Sequence, residues 1–307
     1  MHLKQNESSM TSLISAFGRA YHSRYDSPKI FDDYMAEAVI TAQEFAEIRA
    51  NMIKGIAFFN PELALQYQDD PEAVLKWITQ VQLSPTALGR SAYCEGILLR
   101  ELALGVGQVV ILGAGLDTFA LRHSSPDHQP EIFEVDYPAT QAFKRKRLLD
   151  AELEIPGHLH FVPMDFTRRF SYAALSAEGF NLQSRTFFTL LGVTYYLTKE
   201  ETASLLRDLF HVLPSGSSIV FDYADEGLFE TQGLSGRVEK MVQLAAASGE
   251  PMKSCFAYGE LEQLLEQAGL LIYEHLSPAD IQEKFFSSRN DYLSAFETIH
   301  YIHAVKK

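Results

Sequence analysis

The pattern of apolar and polar residues divides the chain into two parts. Up to about residue 104, apolar residues recur at helical spacing, which predicts a mainly helical region. From residue 107, short apolar runs alternate with helical patterns, as in a parallel sheet covered by helices. We therefore expect a helical N-terminal extension or cap over residues 1–104 and an α/β core over residues 105–307. The N-terminal helical stretches are residues 34–45, 74–81 and 88–104, with breaks near Pro28, Pro61 and Pro85.

The α/β part predicts a doubly wound sheet of seven mostly parallel strands. The final strand lies close to the C-terminus and is expected to pair antiparallel, as a hairpin-like addition. The strand candidates are residues 109–112, 131–135, 160–162, 186–191, 218–222, 270–275 and 298–305. The helical patterns between them cover residues 139–153, 200–212 and 258–267. Residues 224–255 form an insertion after the fifth strand, which is either a lid over a site or a surface loop.

Composition narrows the class of protein. The 307 residues are 47% hydrophobic and 21% charged, which is ordinary for a globular protein with a large core. A formal net charge of −14 argues against nucleic acid as a partner. Cys94 and Cys255 are too few for a disulfide framework, and no apolar run approaches the length of a membrane span. We expect a cytoplasmic protein with no membrane association, either a monomer or a homodimer.

The most informative segment is a short buried strand followed by a glycine turn. Gly113, Ala114 and Gly115 allow a tight turn and a close approach of a ligand to the backbone. A helix that begins near Asp117 or Thr118 would direct its free N–H groups into this turn. Because the Asp117 carboxylate would repel a pyrophosphate, the turn favours a cationic ligand such as S-adenosylmethionine over a dinucleotide.

Acidic residues close the next two strands. Asp136 lies 23 positions after Gly113, where it can accept hydrogen bonds from both hydroxyls of a ribose. It can also act as a helix cap ahead of Pro138. Asp165, with Phe166 beside it, suits an adenine amino group and ring, and a capping role fits Asp165 equally well.

The end of the fourth strand is where the transferred group is expected to lie. Tyr195 and Tyr196 follow this strand, although paired tyrosines in an apolar segment are more often core residues. Asp222 ends the fifth strand at the ligand-binding edge, where a structural cap is as good an interpretation as a catalytic role. The histidines show no clear metal-ligand spacing, so no metal site is expected.

Three segments carry a resemblance to a known family. They are residues 109–118 (VVILGAGLDT), 133–138 (FEVDYP, with Lys144 following) and 192–197 (GVTYYL). Together with Arg19, residues 30–33 (IFDD) and Arg90, they resemble the leucine carboxyl methyltransferase family, especially its bacterial branch of S-adenosylmethionine-dependent O-methyltransferases. The resemblance covers roughly residues 12–225 and implies the class I methyltransferase fold, a Rossmann-like α/β sheet.

The resemblance also implies roles for individual residues. Arg90 would hold the cofactor carboxylate, Asp136 the ribose, and Asp165 with Phe166 the adenine. Protein-methylating members carry a glutamate where this chain has Leu191, which changes one cofactor contact. The implied cofactor-binding residues are Arg90, Gly113, Ala114, Gly115, Asp117, Asp136, Asp165, Phe166 and Leu191. The candidates on the acceptor side are Tyr196, Asp222 and Tyr223.

These observations predict an enzyme that transfers a methyl group from S-adenosylmethionine to a carboxylate or hydroxyl of a small molecule, such as a natural product. A carboxylate acceptor needs mainly positioning, whereas a hydroxyl acceptor needs a base to remove its proton. The sequence singles out no such base. Two alternatives stay open: carboxyl methylation of a protein C-terminus, and a module that binds S-adenosylmethionine without catalysis.

Overall fold

The computed structural model describes residues 10–123, 130–165 and 170–307. Its strands are β1 (Gln108–Leu112), β2 (Glu131–Asp136), β3 (Leu159–Pro163), β4 (Thr186–Leu190), β5 (Ser218–Ala224), β6 (Leu270–Leu276) and β7 (Ile299–Lys306). They form one sheet in the order β3-β2-β1-β4-β5-β7-β6. Strands β1 to β5 pair in parallel, and β7 runs antiparallel to both β5 and β6. The predicted mostly parallel sheet and its antiparallel last strand are confirmed.

Helices dominate the N-terminal part and then alternate with the strands. The N-terminal helices are α1 (Met10–Tyr25), α2 (Ala42–Lys54), α3 (Ile56–Phe59), α4 (Pro61–Gln66), α5 (Pro71–Ile78) and α6 (Ser84–Ala103). The others are α7 (Phe119–Arg122), α8 (Pro138–Asp150), α9 (Tyr172–Ala177), α10 (Lys199–Phe210), α11 (Arg237–Ala247), α12 (Tyr258–Gln267) and α13 (Pro278–Ile281). None of the helices in the described ranges is long and apolar enough to cross a membrane.

The prediction of one helix over residues 34–45 is wrong. The structure has a single 3-10 turn, Ala36–Val39, after which Ile40 is extended and α2 begins at Ala42. The Thr41 side chain accepts from the Glu44 N–H, and the Glu44 side chain accepts from the Thr41 N–H. This capping box fixes a helix start inside the stretch whose apolar spacing indicated a continuous helix.

The sheet separates two cores because side chains alternate between its faces. In β4, Phe188 and Leu190 pack under α10 and α12, whereas Phe187 packs on the other face with α6. A third core lies among the N-terminal helices and includes Leu116 from the segment that follows β1. The N-terminal helices therefore pack directly on the carboxyl edge of the sheet, where the glycine turn lies.

The fully buried ring of Phe188 provides a test of the core assignment. We expect Phe188→Ala to lower the free energy of unfolding by about 3–5 kcal/mol, because it removes buried surface and leaves a cavity. Phe229→Ala is the matched control: that ring is 55% exposed, and the change should stay within about 0.5 kcal/mol. Urea denaturation followed by circular dichroism measures both. Equal losses in the two variants would contradict the assignment.

Candidate functional site

A cavity of about 210 Å³ lies at the carboxyl edge of β1 and β4. Segments that are far apart in the sequence form its wall: α1, α6, the glycine turn, the residues after β4, and the insertion after β5. Ser12 and Arg19 come from α1, Arg90 from α6, and Met241 from α11. The N-terminal helices and the insertion therefore close the cavity over the edge of the sheet.

The glycine turn forms part of the cavity wall as predicted. Gly113 and Gly115 have φ values of +67° and +50°, in the left-handed region that favours glycine. A Cβ on Gly115 would lie 2.7 Å from the Ser12 Oγ, so α1 packs directly against the turn. The helix after the turn begins at Phe119, next to the predicted start at Thr118, but it is a single turn long.

Asp136 ends β2 and contacts the same turn. Its Oδ2 accepts from the Gly115 N–H at 2.5 Å, and its Oδ1 accepts from the Tyr137 N–H at 2.6 Å. Burial raises the pKa of Asp136 to about 6, although these two N–H groups and Lys144 favour the charged form. Each carboxylate oxygen accepts up to two hydrogen bonds, so both oxygens keep acceptor capacity, but Asp136 is not among the residues that line the described cavity wall.

Lys144 holds the carboxylate of Glu134, which precedes Asp136 by two residues in β2, away from the cavity. Lys144 Nζ lies 2.6 Å from the Glu134 Oε2 and also donates to the Asp117 backbone carbonyl at 2.6 Å. Both side chains of the ion pair are 2% exposed. Lys144 thus ties β2 to the glycine turn, and this leaves Asp136 as the carboxylate beside the turn.

Arg90 is one of two arginines on the described wall of the cavity, and 16% of its side chain is exposed. Its Nη1 donates to the Tyr195 hydroxyl at 2.8 Å and lies 3.3 Å from the Asp222 Oδ2. Asp222 is fully buried and also accepts from the Tyr195 hydroxyl and from the Gly192 N–H. Because a buried charge is costly without a partner, Asp222 is what allows Arg90 to stand at the cavity.

The absence of a side chain at Gly192 leaves room for the guanidinium of Arg90. Its φ is +72°, and a Cβ at this position would lie 2.4–2.6 Å from the guanidinium atoms of Arg90. A side chain here would both strain the backbone and push the arginine away.

Leu191 and Tyr196, two of the site residues named from the sequence, line the cavity. Burial, with a contribution from Glu250, raises the pKa of Tyr196, so its hydroxyl stays protonated near neutral pH. Tyr196 can therefore donate a hydrogen bond to a ligand but does not act as a base.

Two residues expected on the acceptor side lie elsewhere. Adjacent residues of a strand point to opposite faces, so Asp222 and Tyr223 cannot both face the cavity. Asp222 faces it but lies beneath Arg90, where its oxygens accept from protein groups. Tyr223 points to the other face, where its hydroxyl lies 3.1 Å from the His275 Nε2. Neither is among the residues that line the cavity in the described part of the chain.

The residues expected to contact the adenine are Asp165 and Phe166. Asp165 follows β3 by two residues and is not part of the cavity wall that the structure describes. Phe166 lies outside the described residues. No group of acidic, histidine and cysteine residues suited to a metal ion occurs in residues 10–123, 130–165 or 170–307.

The resemblance pointed to Arg19 of α1, but sequence reasoning missed the start of this helix and assigned no residue of the insertion to the site. Thr11 and Ser12 at the start of α1 line the cavity, and the Thr11 hydroxyl donates to the Glu250 Oε2 of the insertion at 2.6 Å. The two segments are 239 positions apart, and no local pattern indicates that they meet. For α11 a signal did exist, because its apolar residues recur at helical spacing.

The model of one protein family matches most of the chain. The leucine carboxyl methyltransferase family matches residues 12–210. The chain belongs to this family. It is accordingly an S-adenosyl-L-methionine-dependent methyltransferase, and it requires a methyl acceptor.

Relatives support the same assignment. A Bacillus subtilis (strain 168) protein named "Putative S-adenosyl-L-methionine-dependent methyltransferase YktD" is 64% identical over 305 residues, which cover 99% of this chain and all of that protein. A Parafrankia protein with the same class name is 30% identical over 220 residues, 72% of this chain and 64% of its own length. A crystal structure of a DUF574-family protein from Streptomyces avermitilis shares the fold, with a TM-score of 0.58, 15% identity and 99% coverage of both chains.

The contact between Gly192 and Arg90 gives a direct test of the site in this methyltransferase. We expect Gly192→Ala to weaken S-adenosylmethionine binding at least about tenfold, because the new methyl group would displace the Arg90 guanidinium, which is predicted to hold the cofactor carboxylate. Isothermal titration calorimetry measures the affinity.

Gly179→Ala separates this effect from backbone strain. Gly179 has a φ of +95°, and a Cβ there meets no atom within 4 Å. This control should fold less stably but bind the cofactor as the wild type does. If both variants bind equally well, Arg90 is not a cofactor contact.

Proposed function

We propose that this methyltransferase binds S-adenosylmethionine in the cavity and methylates the carboxylate of a small molecule. The observation that carries the proposal is the chemistry of the wall. Its ionisable side chains, within the described residues, are Arg19, Arg90, Asp117, Tyr195 and Tyr196. No histidine, lysine or cysteine of the described chain joins them there. Apart from the Asp117 carboxylate, the ionisable groups of the wall are therefore cations and hydroxyl donors, which suit an anion.

The residues present fit the cofactor. Arg90 keeps unused guanidinium N–H groups toward the cavity and can hold a carboxylate. The backbone of Gly113 to Gly115 carries no bulky side chain and suits the amino acid moiety, with Leu191 beside it. Asp136 keeps acceptor capacity beside the turn for the ribose hydroxyls. The adenine contacts of Asp165 and Phe166 stay predictions.

The bound cofactor supplies a methyl group on a positively charged sulfur, which is a good leaving group. In the reaction the acceptor oxygen forms a bond to this methyl carbon, the carbon–sulfur bond breaks, and its electron pair stays on sulfur. The products are a methyl ester and S-adenosylhomocysteine, and no proton moves. The task of Arg90, the glycine turn and Tyr196 is to align the two reactants, an effect worth up to about 7–11 kcal/mol in well-oriented systems.

A hydroxyl acceptor fits this wall less well. It would need a group that removes its proton as the bond forms. Burial raises the pKa of both Tyr195 and Tyr196, and so neither phenol is ionised near neutral pH. The Oδ1 of Asp117 accepts the Phe119 N–H at 2.8 Å, which places this carboxylate in the turn. A carboxylate acceptor arrives already ionised and needs none of these groups.

The cover over the cavity favours a small acceptor over a protein tail. Helices α1, α6 and α11 all contribute to the wall, and the Thr11–Glu250 hydrogen bond joins α1 to the insertion. An extended peptide needs an open groove, whereas a compact acid fits a covered cavity.

Transfer of a labelled methyl group tests the proposal. The protein is incubated with S-adenosylmethionine carrying a labelled methyl group and with a panel of small acids, matched alcohols and a peptide ending in leucine. A methyl ester releases labelled methanol in mild alkali, whereas a methyl ether does not. We expect alkali-labile label on small acids. Label on the peptide, alkali-stable label, or cofactor binding without any transfer would each contradict the proposal.

The pKa of Asp136 predicts how cofactor binding depends on pH. Ribose hydroxyls donate to the ionised carboxylate, so binding should be strongest above pH 6 and should weaken as Asp136 takes up a proton. Well below this value, the dissociation constant should rise up to about tenfold per pH unit.

Asp136→Asn is the control for this pH dependence. Its amide keeps only one of the two acceptor oxygens and does not titrate, so binding should be weak at neutral pH and flat between pH 5 and 8. Calorimetry at four pH values measures both proteins. The same slope in the variant would assign the pH effect to another group.

A further inference from the structure

The insertion presents one helical stripe to the cavity. Four residues line the cavity at positions i, i+3, i+4 and i+7. They are Met241, Leu244 and Ala245 of α11 and Ser248, the residue that follows this helix. This spacing places them on one face of the helix. We call these four residues the α11 stripe. Three of the four are apolar, and Met252 extends the same wall beyond the helix.

Both ends of the insertion are anchored to other parts of the protein. At the start of α11, the buried Arg237 forms an ion pair with Glu297, 3.0 Å from each carboxylate oxygen, and its guanidinium also lies over the Phe296 ring. At the other end, the Lys253 N–H donates to the Tyr195 carbonyl at 2.6 Å, and the Ser254 hydroxyl donates to the Leu197 carbonyl at 2.7 Å. These anchors hold the α11 stripe and Met252 against the cavity.

The charged side chains on the described wall all come from segments outside the insertion. Arg90 and the glycine turn, which are assigned to the cofactor, belong to α6 and to the residues after β1. The described cavity residues of the insertion, in contrast, carry no charge. Met241, Leu244 and Met252 are partly buried and pack against the adjoining cores, which leaves the rest of their surface for a ligand.

We infer that the acceptor is a small carboxylic acid with an apolar carbon skeleton, and that the α11 stripe and Met252 bind this skeleton. The inference rests on the proposed carboxyl methylation. Hydroxyl groups on the skeleton would lose water without gaining partners from the apolar side chains, and the Ser248 hydroxyl already donates to the Leu244 carbonyl at 2.9 Å. The two methionines have flexible, unbranched side chains that adapt to aliphatic and aromatic shapes alike.

The apolar wall also suits the reaction itself. A negative carboxylate and a positive methyl donor become a neutral ester and a neutral thioether as the oxygen–carbon bond forms and the carbon–sulfur bond breaks. Water stabilises the separate charges more than the partly neutralised transition state. A wall that excludes water from the acceptor therefore favours the transfer.

Two acids with the same number of carbon atoms test whether the carbon skeleton of the acceptor is apolar. Hexanoate and gluconate have the same number of carbon atoms and one carboxylate each, but gluconate carries hydroxyl groups along its chain. We expect kcat/KM for hexanoate to exceed that for gluconate by at least about a hundredfold, as for polar groups placed in an apolar pocket. Phenylacetate should also be methylated. Comparable rates for gluconate, or a preference for it, would overturn the inference and leave carboxyl methylation intact.

Substitutions on α11 test the residues. Met241→Gln keeps the length of the side chain but adds an amide, and it should raise KM for hexanoate roughly tenfold with little change in kcat. Met241→Leu keeps the apolar surface and should raise KM less. Ala246→Gln adds the same amide on an exposed position of the same helix and should leave KM unchanged.

Calorimetry with S-adenosylmethionine distinguishes a failure of the inference about the α11 stripe from a failure of the proposed carboxyl methylation. Cofactor affinity should be the same in the wild type, Met241→Gln and Ala246→Gln. If Met241→Gln leaves the KM for hexanoate unchanged while cofactor binding is intact, the α11 stripe does not bind the acceptor. If no acid of either kind forms an ester, the proposed carboxyl methylation itself fails.

Discussion

The buried ion pair between Arg90 and Asp222 is the constraint on which the site depends. A guanidinium is always charged, and to remove one member of such a pair typically costs about 3–5 kcal/mol. Asp222 satisfies Arg90 from β5, and the Tyr195 hydroxyl bridges the two. Gly192 adopts a left-handed conformation, and the guanidinium occupies the space that a side chain at this position would need. One charge thus fixes the ends of β4 and β5 and the position of α6 relative to them.

In the proposed function, the cofactor and the acceptor use different parts of the architecture. The glycine turn, Asp136 and Arg90 are held by the parallel strands and by α6, which are rigid elements with buried backbone. The α11 stripe belongs to an insertion outside the sheet. Rigid elements hold a constant ligand with accuracy, while connecting segments vary more readily between relatives. The division follows from the way in which a parallel sheet presents its carboxyl edge.

The sequence predicted the local elements well and the long-range contacts poorly. Each strand appeared within two residues of its predicted bounds, because a buried strand such as β1 is mostly a continuous apolar run. The helix start at Thr41 was missed, although the Thr41–Glu44 capping box is visible in the sequence. Adjacent residues of a strand point to opposite faces of the sheet. The sequence alone therefore indicated that Asp222 and Tyr223 could not both lie on the acceptor side, although both were assigned there. The approach of Thr11 to Glu250 is different, because it depends on tertiary packing that no local pattern encodes.

The double anchoring of the insertion bears on how acceptor preference diversifies. Arg237 and Ser254 hold α11 through Glu297 and the Leu197 carbonyl, groups that do not line the described cavity wall. The inward positions of the helix are therefore free to change size and polarity while its ends keep their attachments. Under the proposed function, substitutions on this helix would change which acceptor binds. The sheet that holds the methyl donor would stay the same across a lineage.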